Sequence, residues 1–156
     1  MIVYLFALLI GVVAGLRAMT APAAVSWAAA LGWISLEGTP LAFLGFTYTP
    51  WVFTVLAVVE LITDQLPKTP SRKVPVQFGA RIAMGALCGA AMGASQGVLV
   101  GGLIAGAVGA VMGTLGGYEL RKRLAASIGG RDFPAALVED AFAIGSAYWI
   151  VTSIVR

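Results

Sequence analysis

IVYLFALLIGVVAGLRAMTAPAAVSWAAALGWI, residues 2–34, runs for 33 residues with a single charge, Arg17. As one continuous helix rising 1.5 Å per residue it would reach about 50 Å, well beyond a hydrocarbon core of about 30 Å. Something has to interrupt it, and GLRAMTAP, residues 15–22, is the place. Thr20 is positioned to cap a new helix, Pro22 falls in that helix's first turn, and Arg17 stands just before the break. Two arrangements stay open: one kinked, tilted helix, or two shorter helices that turn at Arg17, which makes six membrane segments and puts the amino terminus outside.

Four further apolar segments follow, at 50–66, 78–94, 97–120 and 133–155. None alternates apolar and polar residues as a barrel strand does, so helices are the spanning option. The whole chain of 156 residues is 60% hydrophobic and only 11% charged, against about 25% charged in soluble domains. The expected fold is therefore an all-α polytopic membrane bundle of about five transmembrane helices, the first broken near Arg17 to Pro22, forming one domain over 1–156. The amino terminus lacks the basic start of a secretory signal and reads as a retained span; no prenylation or myristoylation motif is present, so attachment is by insertion.

Positive charge collects in two linkers, 67–75 and 121–131, while the linker around Glu37 and the turn at Ser95 and Gln96 carry none. The positive-inside tendency places both basic linkers in the cytoplasm of a bacterial inner membrane, with the amino terminus inside and the carboxyl terminus outside for five spans. The net charge of +3 comes from these short linkers, so it encodes orientation and gives no ground for nucleic-acid binding. Gly85, Gly89, Gly93 and Gly97 recur every four residues, as do Gly102 and Gly106, and Gly109, Gly113 and Gly117. In lipid such stripes allow close helix contact, within one chain or across a homo-oligomer; the other reading is a glycine-lined pore.

The chain has no histidine, which excludes histidine triads and HExxH zinc sites, and Cys88 is the sole cysteine, so no intrachain disulfide can form. What remains chemically is a set of charges inside the apolar segments: Arg17, Glu60, Asp64, Arg81, Glu139 and Asp140. Each costs about 2.5–3.5 kcal/mol at a helix centre facing lipid, so they should turn inward and meet partners. Counted along the helices, all fall in the cytoplasmic half, Arg17 only if the first segment is broken. Glu60 and Asp64, four residues apart, stack on one helix face and form a tentative metal site. Two arginines against four carboxylates leave two negative charges, which a proton or an oxygen-ligated cation such as Mg²⁺ would balance. The plainer reading is that the arginines bridge the acids and lock the bundle.

A short echo relates Gly15-Leu16-Arg17 with Ala18-Met19 to Gly79-Ala80-Arg81 with Ala83-Met84, each followed by a helix bearing acids. It points to a weak internal duplication, 1–66 and 76–156, a habit of transporters. The proline-stiffened linker DQLPKTPSRKVP, residues 64–75, offers Lys68, Thr69, Ser71, Arg72 and Lys73 to a phosphate or lipid headgroup, or serves only as an orientation-setting turn.

With ELITDQLPKTPSR, GLRAMTAP and VEDAFAIG together, the chain resembles a bacterial integral membrane family known as domain of unknown function 4126. The resemblance implies a membrane protein bearing these charged motifs and transfers no catalytic residue. The functional expectation is a small transporter or channel-like protein with a cation- or proton-linked cluster, more a carrier than an enzyme. Two alternatives are a membrane enzyme that acts on a lipid phosphate with Mg²⁺, and a non-catalytic scaffold. The bilayer, and a second copy of the chain, are the expected partners.

Overall fold

The computed structural model describes residues 1–64 and 75–155, and among these every regular element is helical. Six α-helices follow in order: α1 (Ile2–Leu16), α2 (Thr20–Ala30), α3 (Thr49–Thr63), α4 (Pro75–Ala94), α5 (Leu99–Ser127) and α6 (Asp132–Ser153), with a 3₁₀ turn at Ala42–Gly45.

The first apolar segment is two helices. Pro22 explains where the chain breaks: it has no N–H to return to the carbonyl of Ala18, so a continuous helix would lose a hydrogen bond and meet the proline ring there. The helix stops at Leu16, Arg17 is extended at φ −140° and ψ 111°, and α2 restarts at Thr20 with Pro22 in its first turn. The expected cap is corrected in one respect. Thr20 is the first residue inside α2, and its buried hydroxyl finds no partner among the described residues.

The long helix α5 packs along both α4 and α1, and these two also pack against each other. Glycines set both spacings. A Cβ on Gly106 would strike the Gly85 carbonyl oxygen and lie 2.8 Å from the Gly89 Cα; one on Gly93 would lie 2.9 Å from the Gly102 Cα. On the α1 side, Gly109 and Gly113 lie against the backbone of Leu8 and Val12, and Gly11 against Gly106. Helices approach this closely only where neither presents a side chain. The stripes at 85–93, 102–106 and 109–113 are thus engaged inside one chain, which removes the support they lent to a homo-oligomer. Gly97 leaves the stripe: with φ +76° it turns the chain so that the Val98 N–H donates to the Gly93 carbonyl at 2.8 Å.

The second basic linker is also shorter than expected. Residues 121–127, RKRLAAS, contain good helix formers and no breaker, so α5 continues through Arg121, Lys122 and Arg123 and ends before Gly129 and Gly130, both at positive φ. The helix α6 packs on α5, α2 and α1, whereas α3 rests chiefly on α2 and the 3₁₀ turn. The Trp27 indole donates to Thr54 Oγ1 at 2.9 Å and meets the Trp51 ring edge-on, which fastens α3 to α2.

Two helices, α5 and α6, are long and apolar enough to cross a membrane. At 15 residues each, α1 and α3 are apolar but extend only about 22 Å, short of the hydrocarbon thickness. Length and apolarity together thus mark two candidate spans among the described residues, fewer than the five read from hydropathy.

Candidate functional site

A helix that stops at Leu16 leaves carbonyls without partners, and one that starts at Thr20 leaves amides without partners. Two side chains from elsewhere in the chain meet these needs. Arg81, buried in α4, donates through Nη1 to the carbonyls of Gly15 at 2.8 Å and Leu16 at 2.7 Å. Glu60, on α3, accepts the N–H of Ala18 on Oε1 and that of Met19 on Oε2, both at 2.8 Å. A cation thus faces the carboxyl end of α1 and an anion the amino end of α2, each the favourable sign for the helix dipole it meets. Arg81 and Glu60 also attract one another, Nη2 to Oε1 at 3.8 Å.

Arg17, from the break itself, has a side chain with no exposed surface. Its Nη1 pairs with Asp64 at the end of α3 and its Nη2 with Asp140 on α6. Asp64 is shared: Arg121 on α5 approaches it through Nη1 at 3.5 Å, and the same Nη1 lies 3.4 Å from Glu139 Oε2 on α6. Arg121 also makes a two-pronged contact with Asp132, Nε to Oδ1 at 2.8 Å and Nη2 to Oδ2 at 2.6 Å, which closes the α5–α6 turn. This side-on geometry is the strong form of the arginine–carboxylate contact.

The six helix-borne charges Arg17, Glu60, Asp64, Arg81, Glu139 and Asp140 accordingly gather in a network around the α1–α2 break: Arg17, Asp64 and Asp140, with Arg121 and Glu139, are joined by side-chain contacts, while Arg81 and Glu60 pair with each other and meet the backbone on either side of Arg17. Two members were missed in the sequence, Arg121 and Asp132. Arg121 had been assigned to a linker, yet it stands four residues after Gly117 and so continues the run Gly109, Gly113, Gly117 along the inward ridge of α5. Asp132 carries no comparable signal; its side chain is 64% exposed and it joins only because α6 begins there.

Glu60 and Asp64 do stack on one helix face, but they turn to different partners, Glu60 to backbone amides and Asp64 to two guanidinium groups. Among the described residues no three acids or thiols converge as a metal-holding group. Lys68, Thr69, Ser71, Arg72 and Lys73 lie outside the described residues. The arginines of the echo have different settings: Arg17 is extended between helices, while Arg81 is within α4.

With Arg121 included, three guanidinium groups meet four carboxylates that are at most 16% exposed. Such an arrangement can hold a proton or a small cation, and it can exchange partners among its arginines at little geometric cost. No curated protein and no solved structure matches the chain. A family model does match it, over residues 4–153. The chain belongs to the family described as domain of unknown function (DUF4126).

Proposed function

We propose that this chain is a multi-pass membrane protein that moves a small solute, with a proton or cation held by the carboxylates Glu60, Asp64, Glu139 and Asp140 and with Arg17, Arg81 and Arg121 as exchanging partners. The observation that carries the reading is Arg17: a fully buried arginine at an unwound junction between two short helices, paired with acids from two other helices. Intramembrane charges that gather at a discontinuous helix are the usual way transporters build a site, because only there can backbone groups and charges reach a solute away from water.

Membrane insertion is supported by the outward faces. Val52, Val55, Val58, Val59 and Ile62 of α3, and Val100, Ile104, Val108 and Met112 of α5, are all exposed. Apolar patches of that extent belong against lipid or a partner. In this reading all five apolar segments contact the bilayer, α1–α2 as a broken pair, with Lys122, Arg123 and Arg131 on the cytoplasmic side of a bacterial inner membrane. A scaffold is the second reading, favoured by the two carbonyl contacts of Arg81, which tie that end of the network to backbone.

Melting temperatures of the chain in lipid nanodiscs decide between the two. They are measured from mildly acidic to mildly alkaline buffer, and with Na⁺, K⁺ and Mg²⁺. The wild type is expected to gain stability from protons or from one of these cations, and a Glu60→Gln, Asp64→Asn variant to lose that gain. A wild type indifferent to all of them leaves the scaffold.

A further inference from the structure

Between α1, α5 and α6 lies a groove with a volume of about 280 Å³, where α6 packs more thinly on α5 than α1 and α4 do. The two-pronged Arg121–Asp132 contact ties α6 to α5 at their turn, and further along α5 Gly116 has no side chain to fill the space. Leu16 of α1, Met112 of α5, and Val138 and Phe142 of α6 make the walls apolar. Arg121 and Glu139 also line it, but they face each other at 3.4 Å and Arg121 is held by Asp132 besides, so both are engaged within the protein.

Such walls select an apolar occupant, because a polar or ionic solute would give up its water for surfaces that return no hydrogen bond. Size selects a narrow one. The volume is near the lower end for small-molecule sites. Twelve residues line the groove, against roughly 20–30 on each side of a stable protein interface, so it is too small to seat a second copy of the chain. The mouth shows where the occupant comes from. Met112, Val138 and Phe142 are exposed, and they stand on α5 and α6, the two helices long and apolar enough to cross a membrane. A lipid tail would enter sideways from the bilayer without passing through water. We infer that the groove binds one acyl chain of a bilayer lipid, which fills the space left by Gly116 and lies against Leu16. Leu16 is the last residue of α1, its carbonyl accepts from Arg81, and Arg17 follows it, so the tail becomes a ligand of the α1–α2 break. This deepens the proposed function by giving its junction a lipid partner; it rests on the membrane insertion in that reading and is independent of ion coupling.

The test uses the full chain, one copy per nanodisc of dioleoylphosphatidylcholine. The probe is a trace of phosphatidylcholine with a photoactivatable diazirine in one acyl chain, and the labelled residues are read by peptide mass spectrometry. Met112, Val138 and Phe142 should be labelled severalfold more than Val55 of α3, which is also exposed. Gly116→Leu should bring the groove down to the level of Val55 without lowering the melting temperature, since a Cβ at Gly116 meets nothing within 4 Å. Val138→Trp, which fills the groove from the opposite wall, should do the same and decides the matter if the first variant fails to fold. Uniform labelling of groove and open face, or groove labelling that survives the filling variant, overturns the inference. So does displacement of the label by free dodecane at an amount that leaves Val55 labelling unchanged, which would mark a site for a free apolar solute. Loss of groove labelling when two copies share a nanodisc would assign the groove to a second copy instead. A chain that alkaline carbonate strips from the bilayer sinks the membrane reading and this site together. Groove labelling in a chain whose stability ignores protons and cations sinks the coupling reading alone; uniform labelling in a chain that responds to them sinks this site alone.

Discussion

The glycine seam of α1, α4 and α5 and the charged junction at Arg17 hold the same helices together by opposite means. In the seam, the absence of side chains lets backbones touch: Gly89 and Gly106, or Gly113 and Val12, approach so closely that one added methyl group has no room. At the junction, long side chains reach across gaps, and each bond has charge on at least one side. The seam therefore specifies shape and tolerates nothing larger, while the junction specifies charge balance and tolerates changes made in matched sets.

The two regions are coupled by register. Arg81 precedes Gly85, Gly89 and Gly93 at the same four-residue interval, and Arg121 follows Gly109, Gly113 and Gly117 at that interval. Each arginine sits on the ridge that its helix presses into a neighbour, so the close approach along the seam delivers both guanidinium groups to one end of the bundle. Gly15 belongs to both regions: its carbonyl accepts from Arg81, and its Cα packs against Gly113 and Thr114.

The largest expected effect comes from unbalancing the junction. Arg17→Met removes the fully buried guanidinium that Asp64 and Asp140 share, at a cost of about 3–5 kcal/mol. The triple variant Arg17→Met, Asp64→Asn, Asp140→Asn removes charge on both sides and should recover most of that loss. Chemical unfolding in nanodiscs or mild detergent measures both; a single variant within 1 kcal/mol of wild type would mean the pairs contribute little to the fold.

A smaller loss is expected in the seam, and no partner change should rescue it. Gly106→Ala places a methyl group against the Gly85 carbonyl and the Gly89 Cα, backbone atoms that move only if α4 and α5 separate. Overpacking of this kind costs about 1–3 kcal/mol. Recovery by trimming a neighbouring side chain would contradict the backbone contact, because there is no side chain to trim.

This contrast also decides what the sequence could reveal. The stripes were legible because spacing alone carries them, and the break was legible because a proline and an arginine cannot share a 33-residue apolar helix. The six charges, four of them buried and Glu60 and Asp64 half-buried, were legible from the cost of leaving them in lipid. What spacing did not reveal was which groups answer which. Glu60 reads from its spacing as half of a cation site, and nothing in that spacing shows that it also caps α2, accepting from backbone amides exposed by a break 41 residues away. Arg121 was hidden by its neighbours: in the cluster RKR it reads as a topogenic charge, and only the glycine ridge leading to it marks it as different from Lys122 and Arg123, which are exposed.

The smallest expected effect separates the two halves of the echo. Gly15 and Gly79 occupy the same place in it, each two residues before an arginine, and a true structural repeat would give both the same tolerance. Their surroundings differ. A Cβ on Gly15 would lie 2.6 Å from the Thr114 nitrogen and 2.8 Å from the Gly113 carbonyl carbon, whereas one on Gly79 meets nothing within 4 Å. Gly79 is exposed in the second turn of α4, where alanine is a better helix former by about 0.5–1 kcal/mol. Gly79→Ala should therefore raise stability by that amount and Gly15→Ala lower it. If both variants shift the unfolding midpoint in the same direction, the seam does not extend to the junction as the packing of Gly15 implies, and the coupling between the two regions has to run through the arginines alone.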